Sequence, residues 1–215
     1  MKHLKTICFL VIIGILAISC VTTKNLPELR ESRPRSILVL PPLNNSVEVD
    51  APSVFLATSA MPLAESGYYV LPVTLTEQMF RQNGIQTAAD AHNISIARLR
   101  QIFGADAALY IVITKFGVSF QVLSSIVQAE ANAKLIDLKT GKELWAAKVT
   151  VNYQPRQTGG NTLLGTIAGA VVDQAINVLK NESFNAGKVA SRNLLHAESP
   201  YGPLYGPYHT KYETD

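Results

Sequence analysis

The opening stretch MKHLKTICFLVIIGILAISC constrains everything downstream of it. Lys2 and Lys5 precede an apolar run from Ile7 to Ile18, and Ser19 and Cys20 close it. This is the layout of a secretory signal. The run is shorter than the roughly 20 apolar residues that a membrane-spanning helix requires. It also carries Gly14, and it ends on small and polar residues where a stop-transfer segment would place basic ones. Residues 1–19 therefore lie outside the fold, and Cys8 leaves with them. The chain has 2 cysteines, so Cys20 is the only one left. A domain exported to an oxidising compartment must then hold together without an internal disulfide.

The segment resembles a bacterial lipoprotein signal, in which the peptide is cut before a cysteine whose thiol is acylated. Ser19 fits that pattern, but Ala17 and Ile18 stand where leucine and a small residue are usual, and Leu16 lies one position further out. The resemblance implies lipidation of Cys20, with palmitate among the acyl chains and a stable membrane anchor. Val21 stands where an aspartate would mark inner-membrane retention, which points to the outer membrane with the domain facing the periplasm.

Removing Lys2 and Lys5 from 19 basic residues leaves 17 against 16 acidic ones. Such a balance gives no electrostatic footprint for nucleic acid. The expected organisation is a signal peptide over 1–19, a lipidated flexible tether over 20–35, one α/β domain over 36–197 and a Tyr/Gly/Pro-rich tail over 198–215. Pro27, Pro34 and the polar composition suggest the tether. The repeat Tyr201-Gly202-Pro203 and Tyr205-Gly206-Pro207 excludes a regular helix or central strand in the tail. That tail reads either as packed along the domain or as a partner-binding strip, since tyrosine is enriched at interfaces.

Within the domain, SILVLPP at 36–42 reads as a buried strand stopped by Pro41 and Pro42. Residues 53–66 read as helical, with Pro62 marking a kink, a break or a new start. Gly67 stops that helix, and a strand follows over 68–73. Thr74 and Glu77 fit a capping box, with Leu75, Met79 and Phe80 on one face and Gly84 as the stop. Ser95 is the expected N-cap of a helix that buries Ile96, Leu99, Ile102 and Phe103 and ends at Gly104. A central strand over 108–117 precedes a long antiparallel hairpin over 118–153, with tight connections at Phe116–Val118 and Lys139–Lys142. Alternation of Ala129, Ala131 and Ala133 with Glu130 and Asn132 implies one wet or close-packed face. Residues 162–179 and 182–195 read as two helices. The sum is a mixed sheet with helices packed on its faces.

Chemistry is sparse. His92, His196 and His209 lie at no metal-ligand or triad spacing, and neither G-x-S-x-G nor H-E-x-x-H occurs. His92 and His209 read as solvated, and Asp137 reads as the cap of a hairpin turn. A pocket joining His92 or Asp106 to another ionisable group would be the sign of an enzyme. Gly165 and Gly169 form a G-x-x-x-G whose small residues permit close approach, either to the sheet or to a second copy of the chain. No cofactor or metal is expected.

SILVLPPLNNS, PLAESGYYVLPV, QMFRQNG, LRQIFGADAALYI and AKLIDLKTGKELW, in that order, resemble a DUF-type family of bacterial lipoproteins, and the likeness covers about residues 34–197. FGADAALYIVI and LIDLKTGKELW are also similar to the periplasmic domain shared by the curli-secretion lipoprotein, a penicillin-binding-protein activator lipoprotein and the TolB N-terminal domain. The resemblance implies a single α/β domain of that type. It also implies a non-enzymatic scaffold or accessory subunit of a cell-envelope transport or assembly complex, with envelope proteins as partners and self-association as a homodimer. A curli-type secretion pore is the alternative implied by the same relatives, and an enzyme with an unrecognised site is the third.

Overall fold

The computed structural model describes residues 24–121, 124–154 and 172–214. In chain order these form α1 (Pro27–Ser32), β1 (Ser36–Val39), β2 (Leu43–Asn44), α2 (Ala51–Glu65), β3 (Tyr69–Val70), α3 (Val73–Gln82), α4 (Ala88–His92), α5 (Ile96–Phe103), β4 (Ala107–Gln121), β5 (Ser124–Asp137), β6 (Glu143–Tyr153) and α6 (Val172–Leu195). The sheet runs β3-β1-β4-β5-β6, with β2 pairing with β4 beyond the end of β1. The short strands β1, β2 and β3 pair in parallel, whereas β4, β5 and β6 form an antiparallel meander. The mixed α/β class expected from the sequence is the observed one.

Period-two alternation sorts the side chains between two cores. Ile37 and Val39 face one side of the sheet and Leu38 and Leu40 the other, and all four are buried. An apolar run such as SILVL belongs to a strand covered on both faces. On the first side, Leu109, Ile111, Ala131, Leu135 and Val149 meet Phe55 and Leu63 of α2 and Ala190 and Leu194 of α6. The alanines of β5 are the close-packed face anticipated above, because α6 lies against it. On the second side, Leu38, Leu40 and Ala108 meet Phe80 of α3, Ala91 of α4 and Leu99 of α5. These short helices cover only the half of the sheet around β1.

Several local expectations are corrected. The stretch expected as a tether folds from Lys24 onward: α1 buries Leu29, and Ser32 Oγ donates to Asp137 Oδ2 at 2.5 Å. α2 continues through Pro62 without a break, and Pro62 is buried against the core. The strand expected over 68–73 shrinks to Tyr69–Val70, because α3 already begins at Val73, directly after Pro72. No capping box forms there: Glu77 pairs instead with Arg81 at 2.6 Å, one helical turn on. Leu75 is exposed, and Thr76 joins Phe80 as a buried residue of α3. Gly117 is no turn. It sits inside β4, pairs with Gln128, and has φ +131, and the Glu48 side chain crosses where a Cβ would stand. The β4–β5 hairpin therefore runs on to the Gln121–Ser124 pair. The two helices expected at the C-terminal end are continuous in the described part, since α6 spans Val172–Leu195. Ser95 and Gly104 cap α5 as expected, with Gly104 at φ +64.

Candidate functional site

Beyond the small helices, the second face of the sheet is open. Tyr110, Val112, Asn132, Lys134, Ala146 and Lys148 alternate onto it from three adjacent strands, and His92 and Leu43 form its wall. The groove encloses about 600 Å³. Its walls are placed by the crossover connections, which bring α4 beside β4 after α3 has packed on Leu38 and Leu40.

His92 closes α4 and is half-buried, not solvated as its sequence context suggested. Its Nε2 lies 2.9 Å from the Pro41 carbonyl oxygen, an acceptor only, so Nε2 carries the proton. The ring meets Tyr110 edge-on at 5.1 Å between centroids, and Lys134 Nζ lies 5.4 Å from the centre of the Tyr110 ring. Burial and then the Lys134 ammonium hold His92 below the usual histidine value, against the pull of its bond to Pro41. The same burial pushes the Tyr110 hydroxyl up. Further along the face, Glu130 accepts from Thr114 Oγ1 at 2.9 Å and pairs with Lys148 at 2.8 Å and Lys115 at 3.7 Å. Its carboxyl is held down by the Lys148 contact first and by the Thr114 bond.

This groove does join His92 to other ionisable groups, Lys134 and Glu143 among them. His92 Nε2 is occupied by a backbone carbonyl, and no carboxylate accepts from its ring among the described residues. The bond to Pro41 fixes the ring and leaves Nδ1 as its acceptor nitrogen. The surface is a broad patch in which apolar Val112 and Ala146 alternate with Asn132, Lys134 and Lys148.

The other residues weighed for chemistry are structural. Asp106 Oδ2 accepts from the Arg35 and Ser36 amides and from Ser36 Oγ, locking the start of β1 to the start of β4. Asp137 Oδ1 accepts from the Lys139 and Thr140 amides at 2.7 Å each, as expected of a turn cap. Burial works to raise the Asp137 carboxyl, but these bonds and the one from Ser32 hold it below the usual range. His196 is buried beside Glu65 at 3.6 Å, and burial and Arg192 lower its value. His209 stacks on Tyr205 with ring centroids 4.2 Å apart. Cys20, Gly165 and Gly169 lie outside the described residues. Among the described residues no cluster suited to a metal ion occurs, and no helix is long and apolar enough to cross a membrane. The sheet groove itself escaped sequence reasoning. The only signal for it was the polar alternation of Glu130 and Asn132 in a strand whose other face is alanine.

Comparison with known proteins places this architecture. A family model described as "Putative lipoprotein GNA1162-like" matches residues 25–208. The chain is 41% identical over 199 residues to the "Putative lipoprotein NMB1124/NMB1162" of Neisseria meningitidis serogroup B (strain ATCC BAA-335 / MC58), covering 90% of this chain and 92% of that one. The crystal structure of lipoprotein GNA1162 from Neisseria meningitidis matches at 45% identity and a TM-score of 0.54, over 67% of this chain and 99% of that one. A more remote likeness is the LpoB C-terminal domain from Salmonella enterica, at 18% identity and a TM-score of 0.39, over 54% of this chain and 82% of that one.

Proposed function

The chain belongs to the GNA1162-like family of lipoproteins, and from that premise we propose that it is a non-enzymatic accessory subunit of an envelope transport or assembly complex, lipidated at Cys20 on the outer membrane and facing the periplasm. The observation that carries this reading is the open face of β4, β5 and β6. A sheet face of this extent, with Val112 and Ala146 set among Lys134, Lys148 and Glu130, suits a protein partner better than a small substrate. Self-association as a homodimer belongs to the same proposal.

The test is site-specific photocrosslinking in the native envelope. A photoreactive residue at Asn132 should trap one envelope protein in amounts near one to one, and the same residue at Thr210 should not trap it. Trapping of nothing, or of unrelated proteins alike from both positions, would remove the reading. Replacement Cys20→Ser should release the protein from the membrane fraction, and the N-terminal peptide should lose its acyl mass. Light scattering of the detergent-extracted protein should give twice the chain mass if it forms a homodimer.

The pore alternative needs transmembrane strands of about 9–11 residues beyond the soluble sheet. In the β4–β5 hairpin, among the described residues only Ser124, Ser125 and Ile126 of β5 lie beyond its outermost described pair with β6, Val127 with Tyr153. That overhang is too short to span a bilayer, which favours the accessory-subunit reading over insertion of this hairpin.

A further inference from the structure

The C-terminal segment is a strap across one end of the sheet. Trp145 Nε1 donates to the Tyr201 carbonyl at 2.9 Å, Tyr68 Oη donates to the Leu204 carbonyl at 2.8 Å, and the Gly206 and Tyr208 amides donate to Ser66 and Gly67. These links run from the start of β6 to the residue before β3, so the strap crosses the end where β1 and β4 begin. Leu204 and Tyr205 turn inward and are buried, whereas Tyr201 and Tyr208 are 53% and 67% exposed.

Lys24 fixes the other terminus to the same strap. Its Nζ donates to the carbonyls of Ala197, Gly202 and Pro203 at 2.5, 3.0 and 3.1 Å. Cys20 precedes it by four residues. Four Cα–Cα steps span at most about 15 Å. An acyl anchor at Cys20 therefore holds this end of the domain, and no other, against the membrane surface. The exposed Val47 and Val49 lie beside Gly117. Gly117 is ten residues up β4 from Ala107, about 34 Å at the rise of a strand.

We infer that the strap is a membrane-facing platform: Tyr201 and Tyr208 insert their rings among the lipid headgroups and set the orientation of the domain on its anchor. Tyrosine has the amphipathic ring that is enriched at membrane–water boundaries. Charge is not the attraction, because the nearby Arg33 and Lys211 are already paired with Glu213 and Glu198 at 3.1 and 3.2 Å. The contact should therefore persist at high salt, unlike one made by basic residues. The inference rests on lipidation at Cys20 from the proposed function.

The test uses the full-length acylated protein in vesicles of phosphatidylethanolamine and phosphatidylglycerol. Acylation leaves no free thiol, so the variants Tyr201→Cys, Tyr208→Cys and Val47→Cys can each carry one spin label. Electron paramagnetic resonance then compares quenching by lipid-soluble oxygen and by a water-soluble nickel chelate. Labels at 201 and 208 should sit in the headgroup layer at low and high salt, with the label at 47 fully aqueous and thermal melting unchanged. An aqueous label at 208, or a lipid-contacting label at 47, overturns the inference. The mass of the N-terminal peptide separates the two readings. An unmodified Cys20 overturns both, whereas an acylated Cys20 with an aqueous label at 208 overturns the platform alone.

Discussion

Replacing Ala131 by leucine should destabilise the domain, whereas the same change at Asn132, its neighbour in the chain, should not. Ala131 is fully buried and turned toward α2 and α6, whose Ala190 and Leu194 share its core. Asn132 points to the other face and lines the open groove. Leucine adds three carbons. At Ala131 the backbone of β5 is pinned between β4 and β6, so the added volume must be taken up by α6 or by strained rotamers. Overpacking of this kind costs about 1–3 kcal/mol. At about 2–4 °C per kcal/mol for a domain of this size, the melting temperature should fall by roughly 2–12 °C. At Asn132 the half-buried side chain faces the open groove, which has room for leucine, and the expected change is within about 0.5 kcal/mol. Urea unfolding followed by circular dichroism measures both. Equal losses, or a larger loss at Asn132, would refute the face assignment on which the groove depends.

Asp137→Ala should cost about 1–3 kcal/mol, since it leaves the Lys139 and Thr140 amides and the Ser32 hydroxyl without their acceptor; chemical denaturation reads it. The folded Asp137 carboxyl titrates below its unfolded value, so its stabilisation is present above the ordinary aspartate pKa and fades as pH falls through the folded one. Acid unfolding of Asp137→Asn should accordingly show a shallower pH dependence there than the native chain. His92 and His196 should both titrate below about 6.5 by nuclear magnetic resonance. Burial of their neutral rings stabilises the fold above that value, and the benefit declines as pH drops toward the lowered folded values. Gly104→Ala forces an L side chain to φ +64 at the end of α5 and should cost about 1–2 kcal/mol in thermal melting.

Local signals proved readable where a residue answers to its immediate neighbours. Ser95 accepts from the Arg98 amide, and Gly104 takes the left-handed conformation, so both ends of α5 were visible in the chain. Asp137 was visible as a turn cap for the same reason. The errors have two sources, a competing local contact and a distant segment. Thr74 and Glu77 matched a capping box, but α3 starts two residues earlier, with Pro72 at its N-cap, and Arg81 claims Glu77. Gly117 looked like a turn glycine because nothing in the local sequence shows that Glu48 will cross it. Residues 24–35 looked like a linker because their partners, Ala197, Asp137 and the strap, lie more than a hundred positions away.

The sequence by itself determined the class of the fold and most element types. These follow from apolar run lengths, period-two and helical patterns, and caps, all of which act within a few residues. Only the tertiary structure decided which half of the second sheet face stays open, and that the strap and Lys24 close the end where β1 and β4 begin. Both depend on contacts between residues far apart in sequence. Such contacts leave no periodic trace in the chain, because either partner alone looks like an ordinary polar or aromatic surface residue.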